Sequence, residues 1–491
     1  TASPLALNGL IATNLVLSEA SAKISHSDLT VDGNLSIQAD NISTITAENS
    51  ASLESDGSAV GVTLAFNTIG WKPQNLFANA IDTLLGTDAL GAEQPAVVSA
   101  MVLDTVFTVG GDVAVTAGGL DEDSEGPVGA SITATISNET TANAANASAS
   151  FVLASNKVSS QSQAWVGPLL PNAAAIDGAT GSRIMDLVVG GNMDVVATDA
   201  GSIAAEVTMA ATSGGGTAVG GVVVMNDLRG DVLSTVDRVN LIAAGDVTIA
   251  ASEASSLTST LSGTTESPAA DPAAEAGADA TGGATGGGAS GGGVGEPTPM
   301  AVNALIANNV VLGSSRAILT KSQVQAEGGL TVQAENVADI TAENTATMSS
   351  GGKAVGATLA FNTMGWAAQN VLFKAVDALV GSNIGDEDAL VALAKVETVE
   401  LELGGDLNVL SNMQATLTAS TSNEASSESA GAAASMVLAS NMVSTDVKAF
   451  IGNSSSVTAA SVTLTADDTS RITAFGGAAS IAGGFGAVGV A

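Results

Sequence analysis

An all-β solenoid rod, with short parallel strands stacked coil on coil and two short α-helices inserted, is the fold class that this 491-residue sequence predicts. Three observations point there. Residues Asn8–Trp71 return as Asn303–Trp366 at a constant offset of 295, with no residue gained or lost. A shorter cassette, Gly-x-Leu/Val-x-Val/Ile-x-Ala/Ser, recurs along the chain. Glycine fills 56 positions, enough to weaken helices throughout, while Val, Ile and Thr dominate short runs between Gly-Gly and Gly-Asp turns. Self-similarity on this scale marks an architecture in which each unit buries its core only by stacking on its neighbours.

The cassette reads as a strand in each appearance. It stands at Gly33–Ala39, Gly111–Ala117, Gly191–Ala197, Gly245–Ala251, Gly328–Ala334 and Gly405–Ser411, with a weaker copy at Ala460–Ala466. Side chains alternate at period two, as strands require. Pieces such as STITAEN, GSIAAEV and ADITAEN supply a second strand. A third element is an apolar run ending in Asn, at Asn8, Asn67, Asn156, Asn226, Asn303, Asn362 and Asn441. These seven lie about 72 residues apart on average, a spacing that belongs to stacked arrays. One Asn per coil at the same corner predicts an amide ladder along the stack, each side chain donating to one neighbour and accepting from the other.

Two segments break toward helix. After Pro73, the residues Leu76, Phe77, Ala80, Ile81, Leu84 and Leu85 share one helical face, and Gly86 suits the stop. The second copy, near 367–381, keeps the pattern with Leu372, Phe373, Val376, Leu379 and Val380. Trp71 and Trp366 precede the helices and are expected to anchor them. Trp71, Leu76, Phe77, Ile81 and Leu84, with Trp366, Leu372, Phe373 and Val376, form the candidate interface if that face is not covered by its own rod. The stretch 264–299 is rich in Gly, Ala and Pro and reads as a flexible excursion between two arrays, 1–263 and 300–491. Both ends of the sequence fall inside repeat elements, so it reads as part of a longer array, continued end to end by further repeats or by another copy.

Composition narrows the chemistry. The net charge of −36, from 49 acidic and 13 basic residues, argues against nucleic acid and anionic membrane surfaces. With no Cys, a thiol nucleophile and a Cys-type zinc site are excluded. The single His26 has Lys321 as its counterpart in the second copy, so neither a Ser-His-Asp triad nor a His-ligated metal is expected. No catalytic residues are expected. The candidate metal ligands are Asp121, Asp123 and Glu125 in one acidic loop, and Asp386 and Asp388 in another. Carboxylates so spaced suit calcium if carbonyls and waters complete its six to eight oxygens.

Cassettes such as GDVTIAASEASSLTS and SVTLTADDTSRITAFGGAASIAGGFGAVGVA resemble the repeats of very large bacterial surface proteins, the filamentous-haemagglutinin-like and leukotoxin-type adhesins. The resemblance covers nearly the whole chain apart from 264–299 and the two helices. It implies a right-handed β-solenoid, export to the cell surface, and a role as stalk, fibre or adhesin toward a surface or matrix receptor. The expectation is therefore a structural extracellular protein, not an enzyme, without resident cofactor and without membrane insertion. The alternatives are a polysaccharide-processing β-helix enzyme and a calcium-dependent binding module.

Overall fold

The computed structural model describes residues 4–72, 76–85, 93–120, 127–143, 146–168, 184–269, 298–366, 387–428, 431–484 and 486–491. They form three parallel sheets wound into one stack. Coil 4 displays the plan. Thr217–Asp237 lies on a broad front face, Val239–Ala243 on a narrow side, and Val247–Ser267 on a broad back face. Seven coils repeat it, beginning at residues 5, 58, 148, 217, 300, 353 and 432, and Gly486–Val490 opens an eighth. The expected cassette opens the back-face strand in all seven coils, from Leu35–Ala39 to Val462–Ala482. Every pairing between coils is parallel; among the described residues, the strand pairing Gly119–Leu120 with Pro127–Val128 is antiparallel.

Front strands that run unbroken in coil 4 are interrupted in coils 2 and 6. Ser58–Ile69 stops before the first inserted segment and Ala96–Leu103 resumes the same line. Lys353–Met364 and Leu390–Glu397 do the same around the second. The first segment carries α1, Leu76–Leu85, packed on the front strands of coils 3 and 4. The second expected helix lies outside the described residues. The excursion begins later than its composition suggests, because the coil 4 strand holds residues 264–267. Coils 4 and 5 then pair in register from Thr217↔Met300 to Asp237↔Thr320, so the two arrays form one continuous stack. A 21-residue face spans about 70 Å, whereas seven coils rise about 34 Å. The block is therefore a slab, and a rod requires more coils than these.

Inward side chains of the front and back faces meet in three apolar compartments. The one beside the narrow face stacks Val115, Val195, Ile249, Val332 and Val409. The central one stacks Ile132, Ile203, Leu257, Ile340 and Leu417, and the far one includes Ile136, Val207 and Leu261. Each fully buried aliphatic side chain contributes about 1.5–3 kcal/mol. No bulky aromatic layer is needed, because the facing sheets already fill the gap with Val, Ile, Leu and Ala. Polar columns separate the compartments, and these carry the chemistry.

The corner from the front face to the narrow side uses left-handed backbone at residues that are not glycine: His26, Asp104, Arg238, Lys321, Thr398 and Asn453, with φ of 45° to 58°. The cost is offset by position. The N–H of each described member from His26 to Thr398 donates to the carbonyl of the next coil, as in His26 to Leu103 and Arg238 to Thr320. His26 is thus a corner residue, and Lys321 stands at the same corner of coil 5.

Candidate functional site

The strongest polar constellation is an amide ladder through the stack. Asn14, Asn67, Asn156, Asn226, Asn309, Asn362 and Asn441 occupy one register position in coils 1 to 7. Each Nδ2 donates to the Oδ1 of the next, across six bonds of 2.7–2.9 Å. On the back face opposite stand small residues, Ala134, Ala205, Ser259, Ala342 and Ala419, which leave room for the amides; Asn226 also donates to Ser259. Two expected members are corrected. Asn8 pairs with Gly61, and Asn303 with Gly220 and Gly356, six residues before the true members Asn14 and Asn309. Both copies slip by the same amount, so the offset of 295 survives.

A second ladder runs along the corner that precedes each cassette. The side chains of Asn34, Asp112, Asn192 and Asp246 accept from the backbone N–H of Asp112, Asn192, Asp246 and Gly329 at 2.7–2.9 Å. The Asn or Asp in Gly-Asn and Gly-Asp is therefore a stacking group as well as a turn former. The sequence reading treated these residues as turn signals only.

Trp71 is an anchor. It is 2% exposed, pairs through its backbone with Glu93, and has two cations over its ring: Lys157 Nζ at 4.6 Å and Arg229 Cζ at 4.8 Å from the ring centre. Arg229 in turn donates to Asp227 at 2.7 and 2.9 Å and to Glu93 at 3.0 Å, while Ser159 donates to Glu93. Trp366 repeats the position, 8% exposed and bridged to Glu387. Both tryptophans thus belong to the fold and are withdrawn from any adhesive patch. In α1, Ile81 is half-buried, Asp82 and Thr83 turn inward, and Leu84 and Leu85 are exposed. In its last turn the buried side chains are thus polar, while the helix lies on the front strands of coils 3 and 4. The side chains of Leu76 and Phe77, and residues Leu372, Phe373 and Val376, lie outside the described residues.

Among the candidate metal ligands, Asp121, Asp123, Glu125 and Asp386 also lie outside the described residues. Asp388 lines a cleft of about 230 Å³ on the front face with Glu93, Arg229, Asp231, Ser314 and Arg316. The cleft brings together the returns of the two inserted segments, Glu93 from coil 2 and Asp388 from coil 6, over the floor of coils 4 and 5. Arg229 and Arg316 lie 87 positions apart in the sequence, and only the stacking register gathers them. Among the described residues no group of three or more His, Cys, Asp or Glu side chains is placed to hold a metal.

Two carboxyl groups lie inside the stack, between the narrow-side and central compartments. Asp199 and Glu253 are register partners on the back face, 5% and 0% exposed. Ser160 donates to Asp199 and Ser255 to Glu253. Burial raises the Asp199 carboxyl to about 6, against the hydrogen bonds from Ser160 and Ala200, and the charge of Asp231 adds to the rise. Burial pushes Glu253 well above the usual carboxyl range too, with Asp199 and Asp231 adding repulsion. No helix among the described residues is long and apolar enough to cross a membrane. Comparison with protein-family models, with curated proteins and with solved structures gives no match to this chain.

Proposed function

We propose that this chain is a structural segment of a bacterial surface filament or adhesin stalk. The observation that supports it most is register. Seven coils hold one amide ladder without a break, although the residues between successive members range from 53 to 89. A scaffold needs that constancy, whereas a catalytic site needs it in only one place. The coils are read as right-handed, the hand of nearly all parallel crossovers in one sheet. The terminal coils also fit end-to-end continuation, since Leu5, Leu7 and Ile11 on coil 1 and Val462, Leu464, Phe475 and Val488 beyond coil 6 are exposed apolar residues. Another coil, from this chain or a second copy, is the natural cover. The high acidic surplus keeps such arrays apart laterally.

The test is immunogold labelling of intact cells of the source, with an antibody against the back face, beside electron microscopy of the native material. Surface-bound fibres or stalks are expected. Label confined to the cell interior would remove the reading.

The front-face cleft supports a second reading, a polysaccharide-processing solenoid. Arg229 and Arg316 could meet an acidic sugar, and Glu93, Asp231 and Asp388 could supply acid and base. Its test is turnover of a panel of uronic-acid polysaccharides by the purified protein and by a Glu93→Gln, Asp388→Asn variant. Absence of turnover removes it.

A further inference from the structure

The column that contains Asp199 and Glu253 has one fewer hydrogen than its acceptors require. Asp199 of coil 3, Glu253 of coil 4 and Asn336 of coil 5 follow one another on the inner side of the back face. Glu253 and Asn336 are both 0% exposed. The donors nearby are committed: Ser160 to Asp199, Ser255 to Glu253, and Asn336 Nδ2 to the Val391 carbonyl at 3.1 Å. Two buried acceptors on adjacent coils are left without a partner, Glu253 Oε2 and Asn336 Oδ1.

The front face opposite is shaped to admit these side chains. Ser160, Gly230 and Gly313 form its column. A Cβ at Gly230 would lie 2.5 Å from Glu253 Oε1 and 3.1 Å from Asp199 Oδ2; one at Gly313 would lie 3.2 Å from Glu253 Oε2. Glu253 therefore leans from its own coil toward coil 5, on the side where Asn336 stands. A single proton on Glu253 Oε2 would turn two unpartnered acceptors on adjacent coils into a donor and an acceptor, whereas a carboxylate there would be a buried charge with no donor for that oxygen.

We propose that Glu253 is held as a neutral carboxylic acid that completes the column by donating to Asn336, and that its ionisation loosens coils 3 to 5 locally, an alkali-sensitive joint beneath the front-face cleft. The charged groups facing it are Asp199 on the back face and, on the front strand of coil 4, Asp227, Arg229 and Asp231. Arg316 stands on coil 5, Lys157 on coil 3, and Glu93 and Asp388 come from the inserted segments. Arg229 is engaged by Asp227 and Glu93 on the outer side, and the nearest acidic groups, Asp199 and Asp231, oppose ionisation of Glu253. The sign follows. The native state holds this proton more tightly than the unfolded chain, so stability is full below the ordinary carboxyl range and falls as pH rises through it toward the folded value.

Hydrogen exchange of the full chain from pH 5 to pH 9, corrected for intrinsic rate, tests this. Protection in Met193–Ser213, Val247–Ser267 and Leu330–Ser350 should fall at least tenfold relative to the coil 2 strand Ser131–Ala142 as pH rises. Glu253→Gln, which keeps a donor at the same place, should remove most of the fall and leave only the part that ionisation of Asp199 adds, which Asp199→Asn in the same chain removes, while protection at pH 5 stays within a factor of about three. Equal pH response in the wild-type and Glu253→Gln chains would overturn the proposal. So would unchanged protection in the wild type. Restoration of protection at pH 9 by millimolar calcium, absent with chelator, would also overturn it, since the column would then be a cation site.

Discussion

Replacing Asn226 with Ala should damage the stack far more than replacing Asn14. Asn226 is fully buried, accepts from Asn156 at 2.8 Å and donates to Asn309 at 2.8 Å. Removing the amide leaves Asn156 Nδ2 and Asn309 Oδ1 unpaired in the core. Each stranded group costs about 1–3 kcal/mol, and the lost side-chain volume adds to it, so about 3–6 kcal/mol is expected. Asn14 lies in coil 1, makes one ladder bond, and is part-exposed; there Asn→Ala should cost about 1 kcal/mol. A repeat stack opens in pieces, so a single melting temperature would mislead. The informative assay is native-state hydrogen exchange on both variants, read coil by coil. Protection in coils 3 to 5 should fall about a hundredfold or more for Asn226→Ala and remain near wild type for Asn14→Ala. If both substitutions cost about 1 kcal/mol, the ladder contributes little beyond the backbone, and the reasoning that ties register to the amides fails.

Three further outcomes are expected. Asp199→Asn, measured with chelator present, should be near neutral at pH 4 and stabilising at pH 8 by up to about 3 kcal/mol. This is the cost of a carboxyl displaced from 3.8 to about 6, incurred as pH rises through that window; a variant no more stable than wild type at pH 8 in denaturant titration would show that burial does not raise the Asp199 carboxyl. Trp71→Ala should cost about 3–5 kcal/mol by opening a cavity beside Lys157 and Arg229. Trp71→Phe should cost less than half of that, because the indole N–H has no partner to lose; equal losses in calorimetry would contradict this. Gly70→Ala should destabilise by about 2 kcal/mol, since φ is +76° and the new Cβ would meet the Ser159 carbonyl; a neutral result in the same scan would show that the turn relaxes.

Much of the architecture was legible because stacking imposes periodicity on composition. The cassette marks one corner of every coil, and the offset of 295 places Trp366 and Lys321 at the coil positions of Trp71 and His26. The ladder was legible in kind but not in register. The run LALN ends in Asn as LAFN does, yet what fixes a coil is the pairing of its whole strand, which sets Asn8 against Gly61. The left-handed corners were invisible, because His, Asp, Arg, Lys, Thr and Asn share no signature; position in the stack, and not residue type, stabilises them. The front-face cleft and the column of Asp199, Glu253 and Asn336 are products of register between coils 54 and 83 residues apart. A single acidic residue in a strand carries no sign that it points inward, so the sequence does not single out Glu253. The helix was found by its period, although the buried side chains of its last turn are Asp82 and Thr83.

The distance along the chain from one ladder amide to the next varies from 53 to 89 residues, yet the step between them never leaves 2.7–2.9 Å. That variation falls between strands, within the front line of coils 2 and 6 and at corners of coils 3 and 4, while the strands keep their register. Growth in the length of a surface segment is thus uncoupled from the geometry of the axis. A chain built this way can change what it displays at one coil, by insertion, loss or exchange, while its neighbours register no difference. Novelty at the surface is in that sense mechanically silent, and a lineage of such proteins could diversify its outer segments rapidly over an interior that stays the same.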